Sequence, residues 1–268
     1  MRQSWRIRRG GLGLARRGRD RTIIMAVSLS ALLTIWHLVT ETGLVSGFLL
    51  PAPAEVADAF NEQRQPIFSA LLVTLVEVSI GFTGAVVLGI LTGLGLTYSR
   101  TFNAAVFPPL LMLNNVPKTA IAPLLLIWLG FGMMHKIVLS MTLAFFPILV
   151  STVSGLRAVD PDLHDLARSM HASWGRTFWK IDLPYALPYL FSGFRASIHL
   201  SVTGAIIAEF VSGGDGLAFL LHSASSNFQL DLAFAVAIVI SLLSTLLFGL
   251  VVLVERIAIP WAPPTNET

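Results

Sequence analysis

The 268-residue chain contains no cysteine. Disulfides, thiolate zinc sites and thiol nucleophiles are therefore excluded. Charge is scarce as well. Charged residues make up 12% of the sequence and hydrophobic residues 54%, whereas a soluble domain usually carries about 25% charged residues. The deficit points to lipid, not water, against much of the surface. No G-x-x-x-x-G-K-[ST] loop is present, the element whose backbone N–H groups cradle nucleotide phosphates. The glycine-rich stretches, Gly10 to Gly13 and Gly213, Gly214 and Gly216, are not followed by Lys-Ser or Lys-Thr. ATP is not bound through that motif here. The six histidines share no metal-ligand spacing, which leaves no metal site to argue for.

What is abundant is long apolar sequence. Leu232 to Val254 is 23 residues without a charge, and Thr22 to Val39 is 18 residues with only His37 as a titratable side chain. A helix needs roughly 20 apolar residues to cross about 30 Å of hydrocarbon. Backbone groups in lipid must be satisfied within the segment, so these runs are expected to be helices. Six spans are predicted: about Thr22–Val39, one within Ile67–Tyr98, about Ala104–Trp128 with proline interruptions, about Ile137–Val153, Ala186–Phe210 and Leu232–Val254. The second run is too long for one perpendicular crossing and must tilt or overhang. The fold class is therefore an all-α membrane protein. Residues 1–21 form a basic segment, 22–259 the transmembrane unit and 260–268 a tail.

Eight of the eighteen basic residues precede Thr22. A basic cluster just before a span is an orientation signal, and no folded basic domain accompanies it that would suit nucleic acid. No small-residue cleavage site follows at the right distance for a signal peptide, so the first span is read as retained. With the N-terminus in the cytoplasm, fourteen basic residues fall on the inside and two, Arg64 and Lys136, in outer loops, while Lys118 and Arg195 lie within spans. His135 and His222 are also assigned to outer loops. An even number of spans puts the C-terminus in the cytoplasm too.

The longest segment between spans, about Leu156 to Tyr185, is then cytoplasmic. Asp160 followed by Pro161 has the form of a helix N-cap and first helical residue. Leu163, Leu166, Ala167 and Met170 follow at helical spacing. A second short helix is predicted over roughly Ser173–Ile181, ending before Leu183-Pro184. Two short helices carrying exposed apolar residues into the cytoplasm need a partner surface.

This segment, residues 160–184, resembles the coupling motif of binding-protein-dependent ATP-binding-cassette (ABC) importer permeases, E-A-A-x-x-x-G-x9-I-x-L-P. Asp165, Leu166 and Ala167 stand at its first three positions, His171 at the glycine, and Ile181, Leu183 and Pro184 at its end. Three residue types depart from it. Asp165 keeps the carboxylate and Leu166 keeps an apolar face. His171 is the serious departure, because glycine permits a positive φ between the two short helices, which histidine adopts less readily. The resemblance extends from about Pro51 to Trp261. LPAPAEVADAF, NVPKTAIAPLLLIWLGFG, AFFPILVSTVSGLRAVDPDL and AEFVSGGDGLAFLL are similar to the permeases for nitrate, taurine and alkanesulfonates, a group that includes relatives assigned to thiamine-precursor pyrimidines, riboflavin and aromatic carboxylates. The resemblance implies the type I importer fold, a homodimer of permeases in the bacterial inner membrane, two ATPase subunits that hold ATP and magnesium, and an external solute-binding protein. This chain would bind no cofactor and catalyse no reaction. Its cytoplasmic helices would turn ATPase closure into rotation of the spans.

Ionisable groups within spans are functional candidates by default. Lys118 follows Pro117, which lacks a backbone N–H and should break or kink the third span. Asn114 and Asn115 lie about 15 Å from that span's start, near the bilayer middle. An interrupted helix with polar side chains at mid-depth suits a translocation site. The other reading makes the asparagines interhelical packing contacts, with Lys118 paired to Glu77 or Glu209. Glu209, late in the fifth span, is either a pathway or gate residue or a structural partner, and Glu77 and Arg195 read more readily as structural. A different class, an ion-coupled secondary carrier, would show internal repeats and no docking helices. An intramembrane enzyme would need convergent acid, base or nucleophile groups, and the scattered carboxylates and histidines do not supply them.

Overall fold

The computed structural model describes residues 11–43 and 45–261, with side chains given for 24, 27–43 and 45–261. The ends of the expected basic segment and tail, residues 1–10 and 262–268, lie outside the described residues. Among the described residues all regular structure is helical. In chain order come α1 (Gly11–Glu41), α2 (Pro53–Glu62), α3 (Arg64–Tyr98), α4 (Arg100–Asn115), α5 (Lys118–Leu129), α6 (Met133–Arg157), α7 (Pro161–Ser169), α8 (Trp174–Thr177), α9 (Leu183–Ser212), α10 (Leu217–Ser226) and α11 (Leu230–Ala258).

Four stretches among the described residues are single helices long and apolar enough to cross a membrane: α3, α6, Trp174–Ser212 and α11. A fifth span arises if α4 and α5, which meet at 102°, are taken together. The first predicted span lies along α1, where an apolar stretch is described over Val27–Glu41. At 35 residues, α3 is about 52 Å long and exceeds the hydrocarbon core, which agrees with the tilt or overhang expected of it.

The centre of the bundle is α6, with α3 on one side and α9 on the other. Small residues set this arrangement. A Cβ on Gly81 of α3 would lie 2.7 Å from Ser140 Cβ, and one on Gly204 of α9 would lie 2.6 Å from Ser140 Cα. Only glycine admits both neighbours so close to α6, the way helices gain dispersion contact when lipid removes the hydrophobic incentive. At the same level the Ser140 and Ser201 hydroxyls are 2.7 Å apart, and Ser140 Oγ donates to Ser201 O at 2.9 Å. Three helices are thus joined at one serine. Ala85, Ala144 and Ile148 continue the α3–α6 seam, and Leu156, Ala186 and Leu190 the α6–α9 seam.

Two local expectations change. The helix after Ser173 does not stop before Leu183-Pro184. It passes through a widened π turn, Phe178–Asp182, directly into α9. Proline removes the donor to the carbonyl four residues earlier and needs room for its ring, and a π turn supplies that room without ending the helix. His135 and Lys136, assigned to an outer loop, are instead buried in the first turn of α6. The ammonium is drawn inward by a buried carboxylate, described next.

Candidate coupling segment and translocation pathway

The segment between α6 and α9 begins as the sequence predicts. Asp160 caps α7, its carboxylate accepting from Asp162 N at 3.0 Å. The α7 helix packs only lightly on the rest of the chain. Asp165, Leu166, Arg168 and Met170 are exposed, with Leu166 57% and Met170 72% accessible. Ala167 is the buried member of the expected coupling residues on α7. It is 7% exposed and faces back onto its own chain, so the apolar surface of α7 is offered by Leu166 and Met170. Ile181, Leu183 and Pro184 are half-buried, Leu183 against the cluster of Leu156, Ala186 and Leu190. His171 is exposed and has φ 51°. It keeps the left-handed turn that glycine would adopt, closed by Ala172 N donating to Ala167 O at 2.9 Å. Beyond it Trp174 and Trp179 are exposed, and Trp174 stacks on Phe178 at 5.7 Å.

The third predicted span breaks where Pro117 falls. The α4 helix ends at Asn115, Val116 is extended, and α5 starts at Lys118. The Lys118 ammonium donates to the Asn114 backbone carbonyl and, at 3.0 Å, to Asn114 Oδ1. Its partners are thus on α4, and neither Glu77 nor Glu209 holds it. Asn114 and Lys118 are half-buried and Asn115 is exposed. No residue of α4 is buried.

Glu209 sits elsewhere, in an enclosed network near the α9–α10 turn. It is 0% exposed. Thr74 Oγ1 donates to it at 2.6 Å and Ala218 N at 2.7 Å. Leu217 N donates to Thr74 Oγ1 at 2.9 Å. Lys136 Nζ lies 3.0 Å from Glu77 Oε1 and donates to Asp215 O at 2.8 Å. Gly216 has φ 112°, and a Cβ there would collide with the Glu209 carboxylate. Side chains from α3, α6 and α9 therefore grip one turn. A cavity of about 210 Å³ borders it, lined by Glu77, Lys136, Gly213, Gly214 and Asp215 among others. At the other end Arg195 pairs with Glu255 at 3.5 Å.

Sequence reasoning missed the Lys136–Glu77 pair, because the partners are 59 positions apart and Lys136 follows a Gly-x-Gly turn that reads as a loop. It also passed over Asp182, His164 and Tyr98, which the fold brings together beneath α7. An acidic residue between Ile181 and Leu183 was the only signal available.

An interrupted span, a lightly packed α7 and buried interhelical polar contacts define a polytopic helical membrane protein. Residues 85–258 match the family of binding-protein-dependent transport system inner membrane components, and the chain belongs to this family. It is 32% identical over 220 residues to a probable ABC transporter permease protein of Haemophilus influenzae, an alignment spanning 82% of this chain and 90% of that one. It is 30% identical to the putative aliphatic sulfonates transport permease protein SsuC of Bacillus subtilis, over 87% and 85% of the two chains. With the riboflavin transport system permease protein RibX of Chloroflexus aurantiacus it shares 31% identity over 88% and 89%. Among solved structures, a chain of the MetNI methionine ABC transporter in an inward-facing conformation superposes with a TM-score of 0.64 at 17% identity, over 73% of this chain and 97% of that one. A chain of an amino acid ABC transporter crystallised with histidines gives 0.63 at 14%, over 74% and 96%. These structures share the fold, that of type I ABC importer permeases. The chain is the membrane-spanning permease subunit of an ABC importer, in a family of non-catalytic subunits of the inner membrane.

Proposed function

We propose that the bend between α4 and α5 lines the solute passage, and that it does so at the interface of two copies of this chain. The observation that carries this reading is Asn115. It is an exposed amide on a helix none of whose residues is buried in its own chain, at a depth where an amide facing lipid without partners costs several kcal/mol. A second copy, with a wet path between the two, relieves that cost. Two ATPase subunits holding ATP and magnesium seat on α7 through Asp165, Leu166, Met170 and His171. An external binding protein delivers the solute, and both chain ends lie in the cytoplasm. The solute is a small organic anion or a pyrimidine- or flavin-like heterocycle. The relatives named for sulfonates, riboflavin and formylaminopyrimidine support this range, and the amides of Asn114 and Asn115 suit either type.

The test uses the absence of native cysteine. Asn114→Cys and Asn115→Cys are placed singly in the chain, which is assembled with its ATPases and binding protein in liposomes. Asn115→Cys is expected to react with a hydrophilic thiol reagent, at a rate that changes when ATP closes the ATPases. If both cysteines stay inert in every state while transport continues, the amides are packing contacts and the passage lies elsewhere.

A further inference from the structure

Three groups that no motif connects meet beneath the cytoplasmic helices. Asp182, the last residue of the π turn, is 3% exposed. Its Oδ2 accepts a 2.6 Å hydrogen bond from the Tyr98 hydroxyl. Its Oδ1 lies 2.8 Å from His164 Nε2. Each group belongs to a different element. His164 is on α7, beside Asp165 and Leu166. Tyr98 is the last residue of α3, and Asp182 leads directly into α9. The π turn itself is a rare geometry that concentrates at functional positions.

Position gives the trio its significance. One residue beyond Tyr98 the chain turns at Ser99, whose hydroxyl accepts from Phe102 N at 3.2 Å to start α4. The α4 helix is a lever of 16 residues, about 24 Å long, with Asn114 and Asn115 at its far end. Tyr98 is also held by ring contacts to Trp174 at 5.6 Å and Phe178 at 6.4 Å. Since α7 is otherwise lightly packed, a carboxylate that binds its histidine on one side and the root of α4 on the other is a direct mechanical tie between them.

We propose that Asp182 is a positioning residue that transmits displacement of α7 to α4 through Tyr98 and to α9 through the π turn, so that without it ATP hydrolysis continues but the α4 lever does not follow. This rests on the reading of α7 as the ATPase seat. In the coupling motif Asp182 occupies the position left open between Ile181 and Leu183, and His164 precedes the motif, so the assignment comes from geometry alone.

The experiment uses the full complex of permease, ATPases and binding protein in liposomes, with an environment-sensitive fluorophore on Thr101→Cys, an exposed position in the first turn of α4. The emission change on trapping with ATP and vanadate is recorded beside the rate of ATP hydrolysis in the same sample. Tyr98→Phe keeps the ring contacts and removes one hydroxyl, and Asp182→Ala removes the tie entirely. Each is expected to cut the emission change at least about fivefold, the low end of coupling between distinct sites, while hydrolysis stays within about twofold. The proposal is overturned if the emission change survives both substitutions, or if it falls in proportion to hydrolysis, as general damage to the fold would produce. Where Asp182→Ala fails to assemble, Tyr98→Phe decides alone. Absence of any ATP response in the labelled but otherwise unsubstituted chain refutes the ATPase-seat reading instead, and that result is read first.

Discussion

Replacing Gly204 with alanine tests the three-helix junction directly. The new Cβ would lie 2.6 Å from Ser140 Cα, 2.9 Å from Leu139 O and 3.0 Å from Ser140 N. All three are backbone atoms, so no side chain can swing aside. Restoring ordinary contact requires α9 to move from α6 by roughly 1 Å, and a gap of that size forfeits about a quarter to a half of each dispersion contact along the seam. Overpacking of this kind costs about 1–3 kcal/mol. Losing the Ser140–Ser201 hydrogen bond adds about 1 kcal/mol, and the better helix propensity of alanine returns up to about 1 kcal/mol. The expected net loss is therefore about 1–3 kcal/mol. Titrating the chain with SDS in mixed micelles, with circular dichroism as the signal, measures it. Gly249→Ala is the control, because no heavy atom lies within 4 Å of its added Cβ and its stability should hold or rise. If Gly204→Ala unfolds within about 0.5 kcal/mol of the unsubstituted chain, the range of an ordinary surface change, close approach at Ser140 does not hold this bundle together.

Lys136→Met leaves the Glu77 carboxylate buried without its partner and should cost about 3–5 kcal/mol in the same titration, whereas Lys136→Met combined with Glu77→Gln should recover part of that loss. His171→Gly removes the side chain from a left-handed position and should stabilise the chain by up to about 1 kcal/mol. ATPase affinity of that variant, measured in detergent, should fall, because His171 is among the proposed seat residues, and an unchanged affinity would take the imidazole out of the contact. Leu166→Asp should abolish ATPase binding and leave the unfolding midpoint unchanged, because Leu166 is exposed. A folded Leu166→Asp chain that still binds would move the seat off this face of α7.

The parts of the fold carried by local pattern were legible in the sequence. Long apolar runs became α3, α6, α9 and α11, Asp160-Pro161 became a capped helix start, and Pro117 broke its span. Each depends on residues within a turn or two of one another. The misread parts depend on distant partners. Pro184 resembles a helix stop, and only the tolerance of a π turn carries the helix past it. Lys136 resembles a loop cation until α3 supplies Glu77. The resemblance to the coupling motif marked out the segment of α7 but not the direction in which Ala167 points. Helical spacing put Ala167 on the apolar stripe, and that stripe includes the face turned toward the chain itself.

The 102° bend has an electrostatic consequence. The carbonyl end of α4 carries about half a negative charge and the amide end of α5 about half a positive one, and they meet at Val116-Pro117. Lys118 sits between them with its ammonium directed at the α4 end, on Asn114 O and Oδ1. Part of its charge thus neutralises a helix terminus and is not projected into the space beyond. The bend presents a polar but weakly charged field, over which an anion gains little relative to a neutral heterocycle. On the proposed reading of this bend as the passage, solutes would be screened here by size and hydrogen bonding, and discrimination by charge would be left to the proposed delivering protein. Substituting Lys118 would accordingly first change the angle at which the two half-helices meet, and only secondarily the sign of solute that passes.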